Sequence, residues 1–139
     1  RSLFAVSDDR IMFFGGAQKP VSIAEKLLDE EVRGVYYGSE YVGLVFNSRE
    51  SGSRYRLDVY HKSGDFVSSI AYDIECRDVL FYEDQIIIYN ESDCRIYNSR
   101  GVEKYAGKFN KTALMLIPQK ASYTYMVVTP DSIDKIELR

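Results

Sequence analysis

One stretch of this chain is written twice. Leu57-Asp58-Val59-Tyr60-His61-Lys62-Ser63-Gly64 returns as Cys94-Arg95-Ile96-Tyr97-Asn98-Ser99-Arg100-Gly101. Both read apolar, Tyr, a few polar residues and Gly, followed by another strand-like run. The glycine supplies the positive φ that a hairpin turn needs. The strand before each member also recurs: Gly43-Leu44-Val45-Phe46-Asn47 aligns with Ile86-Ile87-Ile88-Tyr89-Asn90, with Met126-Val127-Val128-Thr129-Pro130, and with Phe4-Ala5-Val6-Ser7-Asp8. A further strand precedes three of these, at Gly34-Val35-Tyr36-Tyr37, Asp78-Val79-Leu80-Phe81 and Ala113-Leu114-Met115-Leu116. A period of about forty residues points to a stack of like units, because one such unit cannot bury its apolar faces alone.

The unit is all-β. Its runs are short, rich in Ile, Val, Tyr and Phe, and closed by turn residues, as in Ile11-Met12-Phe13-Phe14 before Gly15-Gly16. Four strands per unit are expected, called a, b, c and d in chain order. The second copy has them at 34–37, 42–46, 55–60 and 65–70, and the third at 78–82, 85–89, 94–97 and 102–109. The first copy begins at b and the last ends at c. Short antiparallel four-strand units at this period predict β-propeller blades, here about 1–32, 33–75, 76–111 and 112–139, within one domain that is a fragment of a larger propeller. Continuous Ile86-Ile87-Ile88 fits a strand covered on both faces. The competing architectures are a β-sandwich and a plain meander of fourteen strands. The one helical composition is Ser22 to Val32, which has no full amphipathic period.

Composition narrows the function. Of 139 residues, 18 are Lys or Arg and 21 Asp or Glu, a net charge of −3, which argues against a nucleic-acid partner. No apolar run approaches the ~20 residues of a membrane span, so this segment is expected to make no membrane contact. The chain opens in a strand-like run at Arg1-Ser2-Leu3-Phe4 without an initiator Met, and closes in another at Ile136-Glu137-Leu138-Arg139. It reads as a piece of a longer protein, with any anchor upstream.

No chemistry-bearing motif stands out. His61 has Lys62 beside it and no converging ligands, so it reads as an exposed turn residue and not a metal site. Asp8-Asp9 and Glu83-Asp84 fall in turns without calcium-loop spacing and read as solvated acids. No Gly-x-Ser-x-Gly and no phosphate loop is present. Cys76 and Cys94 sit at a and c of one blade with b between them, beyond disulfide reach. They are expected to be free, half-buried thiols, an oxidising location favouring a bridge. Asn90-Glu91-Ser92 and Asn110-Lys111-Thr112 match the glycosylation sequon, as chance alone allows. The 12 Tyr either serve strand structure or offer contacts to a glycan or protein; recurrence at Tyr60 and Tyr97 favours structure.

The hairpin Val59-Tyr60-His61-Lys62-Ser63-Gly64 and its copy Ile96-Tyr97-Asn98-Ser99-Arg100-Gly101, with Ile86 to Asn90 ahead of it, resemble blades of quinoprotein-like and WD40-like propellers. They are more closely similar to an uncharacterised propeller family of Clostridia-type bacteria, in which the repeats follow an N-terminal membrane anchor. No Trp-Asp dipeptide closes a blade and the chain has no Trp, so neither WD40 repeats proper nor a quinone cofactor is implied. The resemblance implies no catalytic residue and no cofactor. It implies a bacterial protein held outside the cell through an anchor, a cytoplasmic location being the alternative.

The expected function is therefore a non-catalytic binding or scaffold module for a protein or glycan ligand. The alternative is a glycan-active enzyme propeller with carboxylates facing each other across the axis, although the acids here fall in turns and outer strands. A third reading is purely structural, a part-ring completed by a second copy (a homodimer) or by upstream blades. Candidate binding loops, taken to join d to a or b to c, are Phe109 to Thr112, Ile70 to Cys76, Asn47 to Arg54 and Pro118 to Ser122. The third is the longest polar insertion, and Ser48, Arg49, Glu50 and Arg54 are its candidate contact residues.

Overall fold

The computed structural model describes residues 2–139. Among them the chain forms fourteen strands and no helix. The first sheet holds β1 (Ser2–Val6), β2 (Arg10–Gly15) and β3 (Val21–Leu27). The second holds β4 (Gly34–Tyr37), β5 (Tyr41–Asn47), β6 (Tyr55–His61) and β7 (Phe66–Tyr72). The third holds β8 (Asp78–Tyr82), β9 (Gln85–Tyr89), β10 (Asp93–Asn98) and β11 (Glu103–Lys108), and the fourth β12 (Met115–Pro118), β13 (Thr124–Val128) and β14 (Ile133–Glu137). Each sheet is an antiparallel meander in chain order. The first two sheets lie in one compact unit, Arg1–Asp73, and the last two in a second, Ile74–Arg139.

The sheets repeat one another in hydrogen-bond detail. A β-bulge interrupts the c–d ladder at Phe13/Phe14, at Val59/Tyr60 and at Ile96/Tyr97. The turn after it closes alike in two sheets, where His61 N–H donates to Asp65 O at 2.8 Å and Asn98 N–H to Val102 O at 2.9 Å. The chain enters strand a through one recurring bond, from Arg33 N–H to Val45 O, Arg77 N–H to Tyr89 O, and Leu114 N–H to Val128 O. The matching residues of strand b are therefore Val6, Val45, Tyr89 and Val128, opposite Ile11, Leu57, Cys94 and Ile133 on strand c. This fixes the first sheet as b, c and d, and the fourth as a, b and c.

The correspondence corrects the expected alignment in one place. Gly43 to Val45 match Ile87 to Tyr89, one residue further on than the apolar runs suggest. A one-residue slip exchanges the two faces of a strand. Three consecutive isoleucines hide it, because Ile86, Ile87 and Ile88 are all buried and strand β9 is covered on both faces.

Each unit closes one core between its two sheets. In the first, Ile11 and Phe13 of β2, with Phe4 and Val6 of β1, pack on Val42, Leu44, Phe46 and Tyr60 of the second sheet. In the second, Ile87, Tyr89, Cys94 and Ile96 of the third sheet pack on Leu116, Tyr125 and Val127 of the fourth. These are the same register positions: Phe4 and Ile87, Val6 and Tyr89, Ile11 and Cys94, Phe13 and Ile96 on one side, Val42 and Tyr125, Leu44 and Val127 on the other.

The helical composition at Ser22 to Val32 gives strand β3 and a connecting segment, not a helix. Residues 21–27 pair along β2, with Ala24 turned into the core, and that ladder overrides the Ala-Glu-Lys-Leu preference. The fourth a strand starts at Met115, two residues later than expected. Neither cysteine is in a disulfide, yet Cys94 is buried, not half-buried. Desolvation pushes its thiol up to about 12. Cys76 is half-exposed, its S–H pointing at Asp78 O. A thiol reagent at pH 8 is expected to titrate one thiol in the native protein and the second only in denaturant; two fast thiols would contradict this burial.

Gly64 closes the repeated turn with φ +99°, and a Cβ there would lie 2.4 Å from the Ala24 Cβ and 3.3 Å from the Phe13 ring. Gly52 has φ +88° but open space around it. Chemical denaturation should show Gly64→Ala costing about 2 kcal/mol or more, and Gly52→Ala about 1 kcal/mol, the backbone share alone.

Candidate functional site

The loop singled out by its length is the b–c connection of the second sheet. The other three b–c turns are tight, closed by Ser7 N–H to Arg10 O, Asn90 N–H to Asp93 O and Thr129 N–H to Ser132 O. Each opens with a short polar side chain that bonds within its own turn. Thr129 Oγ1 accepts from Ser132 N–H, and Asn90 Oδ1 accepts from Ser92 and Asp93 N–H. In the second sheet the hairpin is longer and closes by Ser48 N–H to Arg54 O at 3.0 Å. Ser48 Oγ does the turn-opening work there, accepting from Glu50 N–H at 3.0 Å. Of the sequence candidates, Ser48 thus shapes the loop, while Glu50 is exposed on it.

Arg49 reaches across to the segment joining β3 to β4. Its Nη2 lies 2.9 Å from Glu30 Oε2 and 3.4 Å from Asp29 Oδ2. The same Glu30 oxygen accepts from Arg56 Nη2 at 2.7 Å, and Arg56 Nε donates to Asp58 Oδ1 at 3.0 Å, which also accepts from Ser69 Oγ at 2.7 Å. The Arg56 guanidinium stands 4.7 Å from the centroid of the Phe46 ring, a cation–π contact. The result is a ladder of alternating charge, Asp29, Arg49, Glu30, Arg56, Asp58, running from the loop down one face of β6. The Arg56 hydrogen bond is the main cause holding the Glu30 carboxyl below its usual range. Burial opposes the charge on Arg56, and the two carboxylates more than offset it.

Arg54 lies apart from this ladder. Its guanidinium sits 5.3 Å over the Tyr55 ring, and Tyr55 packs on Tyr72 at 5.4 Å. Arg49 and Arg54 thus have different partners, Glu30 and Asp29 for the first and the Tyr55 ring for the second. Glu30 and Arg56 were missed by sequence reasoning. The signal lay in Arg56 and Asp58, opposite charges two residues apart on one strand and so on one face.

Beside the ladder an open cleft of about 510 Å³ is lined by Ser7, Asp8, Leu28, Asp29, Glu30, Glu31 and Val32. Two of its four acids carry arginine partners. A general acid needs a raised carboxyl pKa, and Glu30 is moved the opposite way. No group of three or more metal-ligating side chains occurs among the described residues.

The other loops are structural or sit elsewhere. Pro118 to Ser122 joins β12 to β13, an a–b connection, so it lies at the opposite end of its sheet from the b–c turns. Ile70 to Tyr72 belong to β7, which leaves a short d–a link after them. His61 is half-buried in its turn and not simply exposed; its Nδ1 lies 2.8 Å from Ser63 Oγ and its Nε2 3.3 Å from Glu40 Oε2. Its counterpart Asn98 also bonds turn N–H groups, so the Tyr-Asn/His-x-x-Gly motif is turn chemistry. Asp9 is held down to about 2 by its hydrogen bond with Arg10. The amide of Asn90, one sequon asparagine, is engaged at both ends, with Nδ2 donating to Glu75 O at 2.7 Å. Tyr60 and Tyr97 are buried, as structural tyrosines should be.

Two comparisons bear on these observations. The model of a family of unknown function, DUF5711, matches residues 1–138. No curated protein matches the chain.

Proposed function

The chain belongs to the family DUF5711, and we propose that it is a non-catalytic binding or scaffold module built from β-propeller blades. The observation that carries this reading is the recurrence of one sheet-on-sheet packing, at matching register positions, in both units. Like sheets that stack through like faces are the construction principle of propellers. A pair of unrelated sandwiches has no reason to reuse the same bulge, the same turn and the same entry bond. The links between the four sheets, residues 28–33, 73–77 and 109–114, recur at roughly the spacing of the sequence repeat, which supports this reading.

The ligand-facing element in this reading is the β5–β6 hairpin. It departs from the repeat, and departures from a repeated scaffold are where binding surfaces are added. Its charged, partly aromatic surface suits a polar partner, a protein or a glycan. The resemblance to propellers carried outside bacterial cells supports presentation at the cell surface through an upstream anchor. Replacing residues 48–53 by a short Gly-Ser turn removes the Arg49 ion pairs and the Ser48 turn bond, together worth about 1–2 kcal/mol. Screened against glycan and peptide arrays, the parent should give ligands that the short-loop variant loses while it stays folded, with only a small fall in its denaturation midpoint. Undiminished binding by the variant would remove the hairpin from the site.

A further inference from the structure

The crest of the β5–β6 hairpin is tied to the rest of its unit through one side chain. Ser48 N–H donates to Arg54 O, and Ser48 Oγ accepts from Glu50 N–H. Neither bond leaves the hairpin. A Cβ on Gly52 would meet nothing within 4 Å, so the turn stands clear of its surroundings. Among the described residues, hydrogen bonds and ion pairs from 49–53 to another element come only from Arg49. Its Nε donates to Glu30 Oε1 at 3.1 Å, and its Nη2 lies 2.9 Å from Glu30 Oε2 and 3.4 Å from Asp29 Oδ2. The other three b–c turns are tight and close on themselves. The extra length of this one is what gives it room to move.

The two sides of the contact differ. Glu30 is fixed from below: its side chain is 22% exposed and bonded at 2.7 Å to Arg56, itself 19% exposed. Arg49 is 64% exposed and Asp29 87%. An exposed ion pair shifts an equilibrium by about fivefold at most, and salt screens even that. The two-pronged grip on Glu30 adds direction to the contact but no burial. One anchored partner and one held in solvent make a marginal catch.

We propose that Arg49 is a strap, closing the β5–β6 hairpin onto the β3–β4 link at low ionic strength and releasing it as salt rises. Release leaves the fold in place, since Glu30 keeps Arg56 and the Ser48 bonds stay within the hairpin. It frees the loop crest and the Arg49 guanidinium, whose fork suits a carboxylate. With this hairpin as the ligand-facing element, the strap sets how much of the protein presents that fork. This consequence rests on the binding-module reading; the strap rests on the geometry alone.

A nitroxide on Ser51→Cys, in a chain carrying Cys76→Ser, reads the state of the hairpin from its line shape, because Ser51 is exposed at the crest. Raising NaCl from about 10 mM to about 500 mM at constant pH should enlarge the mobile component about two- to fivefold. Arg49→Gln should give the mobile spectrum at both salt concentrations, with an unchanged β-sheet spectrum. Glu31→Gln, an exposed neighbour outside the contact, should behave as the parent does. The same label at Ser92, in a tight b–c turn, should not respond to salt. A parent spectrum that ignores salt overturns the strap. So does an Arg49→Gln spectrum equal to the parent's, or a salt response shared by the label at Ser92. Ligand loss by the short-loop variant tests the binding reading separately, so either idea can fail without the other.

Discussion

Phe13→Ala is expected to cost about 3–5 kcal/mol, and Ile96→Ala, at the same register position in the second unit, about 2–5 kcal/mol. Both side chains are fully buried between two sheets. Removing either deletes apolar contact and leaves a cavity that stiff ladders on both sides collapse into poorly. In the fourth sheet the matching residue is Lys135, which is exposed, so Lys135→Ala should change stability by less than about 0.5 kcal/mol. Urea denaturation of the three variants reads the comparison directly. Similar losses at all three positions would contradict the assigned register, and a small loss at Phe13 or Ile96 would contradict the packing.

Breaking the charge ladder at Arg56 is the second large effect. Arg56 is paired with Glu30 and Asp58, all three side chains being only 16–22% exposed. Arg56→Ala leaves two partly buried carboxylates without their cation and removes the contact with Phe46, for an expected loss of about 3 kcal/mol. Arg49→Ala, at the exposed end, should lose less than about 1 kcal/mol. The pH dependence follows from the sign of the shift. Glu30 ionises more readily in the folded state than its ordinary value of 4.5. Its contribution is therefore complete above that pH and disappears as pH falls below it, where the folded carboxylate takes its proton. Denaturation midpoints of the parent should fall below about pH 4.5 more steeply than those of Arg56→Ala. Parallel curves would show that the ladder does not hold Glu30 ionised.

Sequence reading recovered the repeat because its punctuation is chemical. Gly64 and Gly101 hold the positive φ the turn demands, with His61 and Asn98 at matching places bonding its N–H groups. It located the long hairpin for the same reason, since Asn47 to Arg54 is all polar and cannot continue a strand core. It left Ser22 to Val32 unassigned, a helical composition without an amphipathic period, because helix composition and strand pairing compete there and pairing with β2 is a long-range fact. It slipped by one residue at Ile86-Ile87-Ile88 because a strand covered on both faces carries no alternation to fix its register. The charge ladder escaped because Glu30 and Arg56 lie far apart in the chain and meet only when the linker folds over β6.

The proposed function rests on the propeller reading, in which the four sheets would be blades fanned about one axis. Spin-label distance measurements on the protein, in a background without reactive cysteine, test it most directly. One pair of labels is placed on the first strands β4 and β8, and another on the last strands β7 and β11. Blades converge at their first strands and splay at their last, so the β7–β11 distance should clearly exceed the β4–β8 distance. Equal distances, or the reverse order, would mean two separately oriented sandwiches and would contradict the propeller.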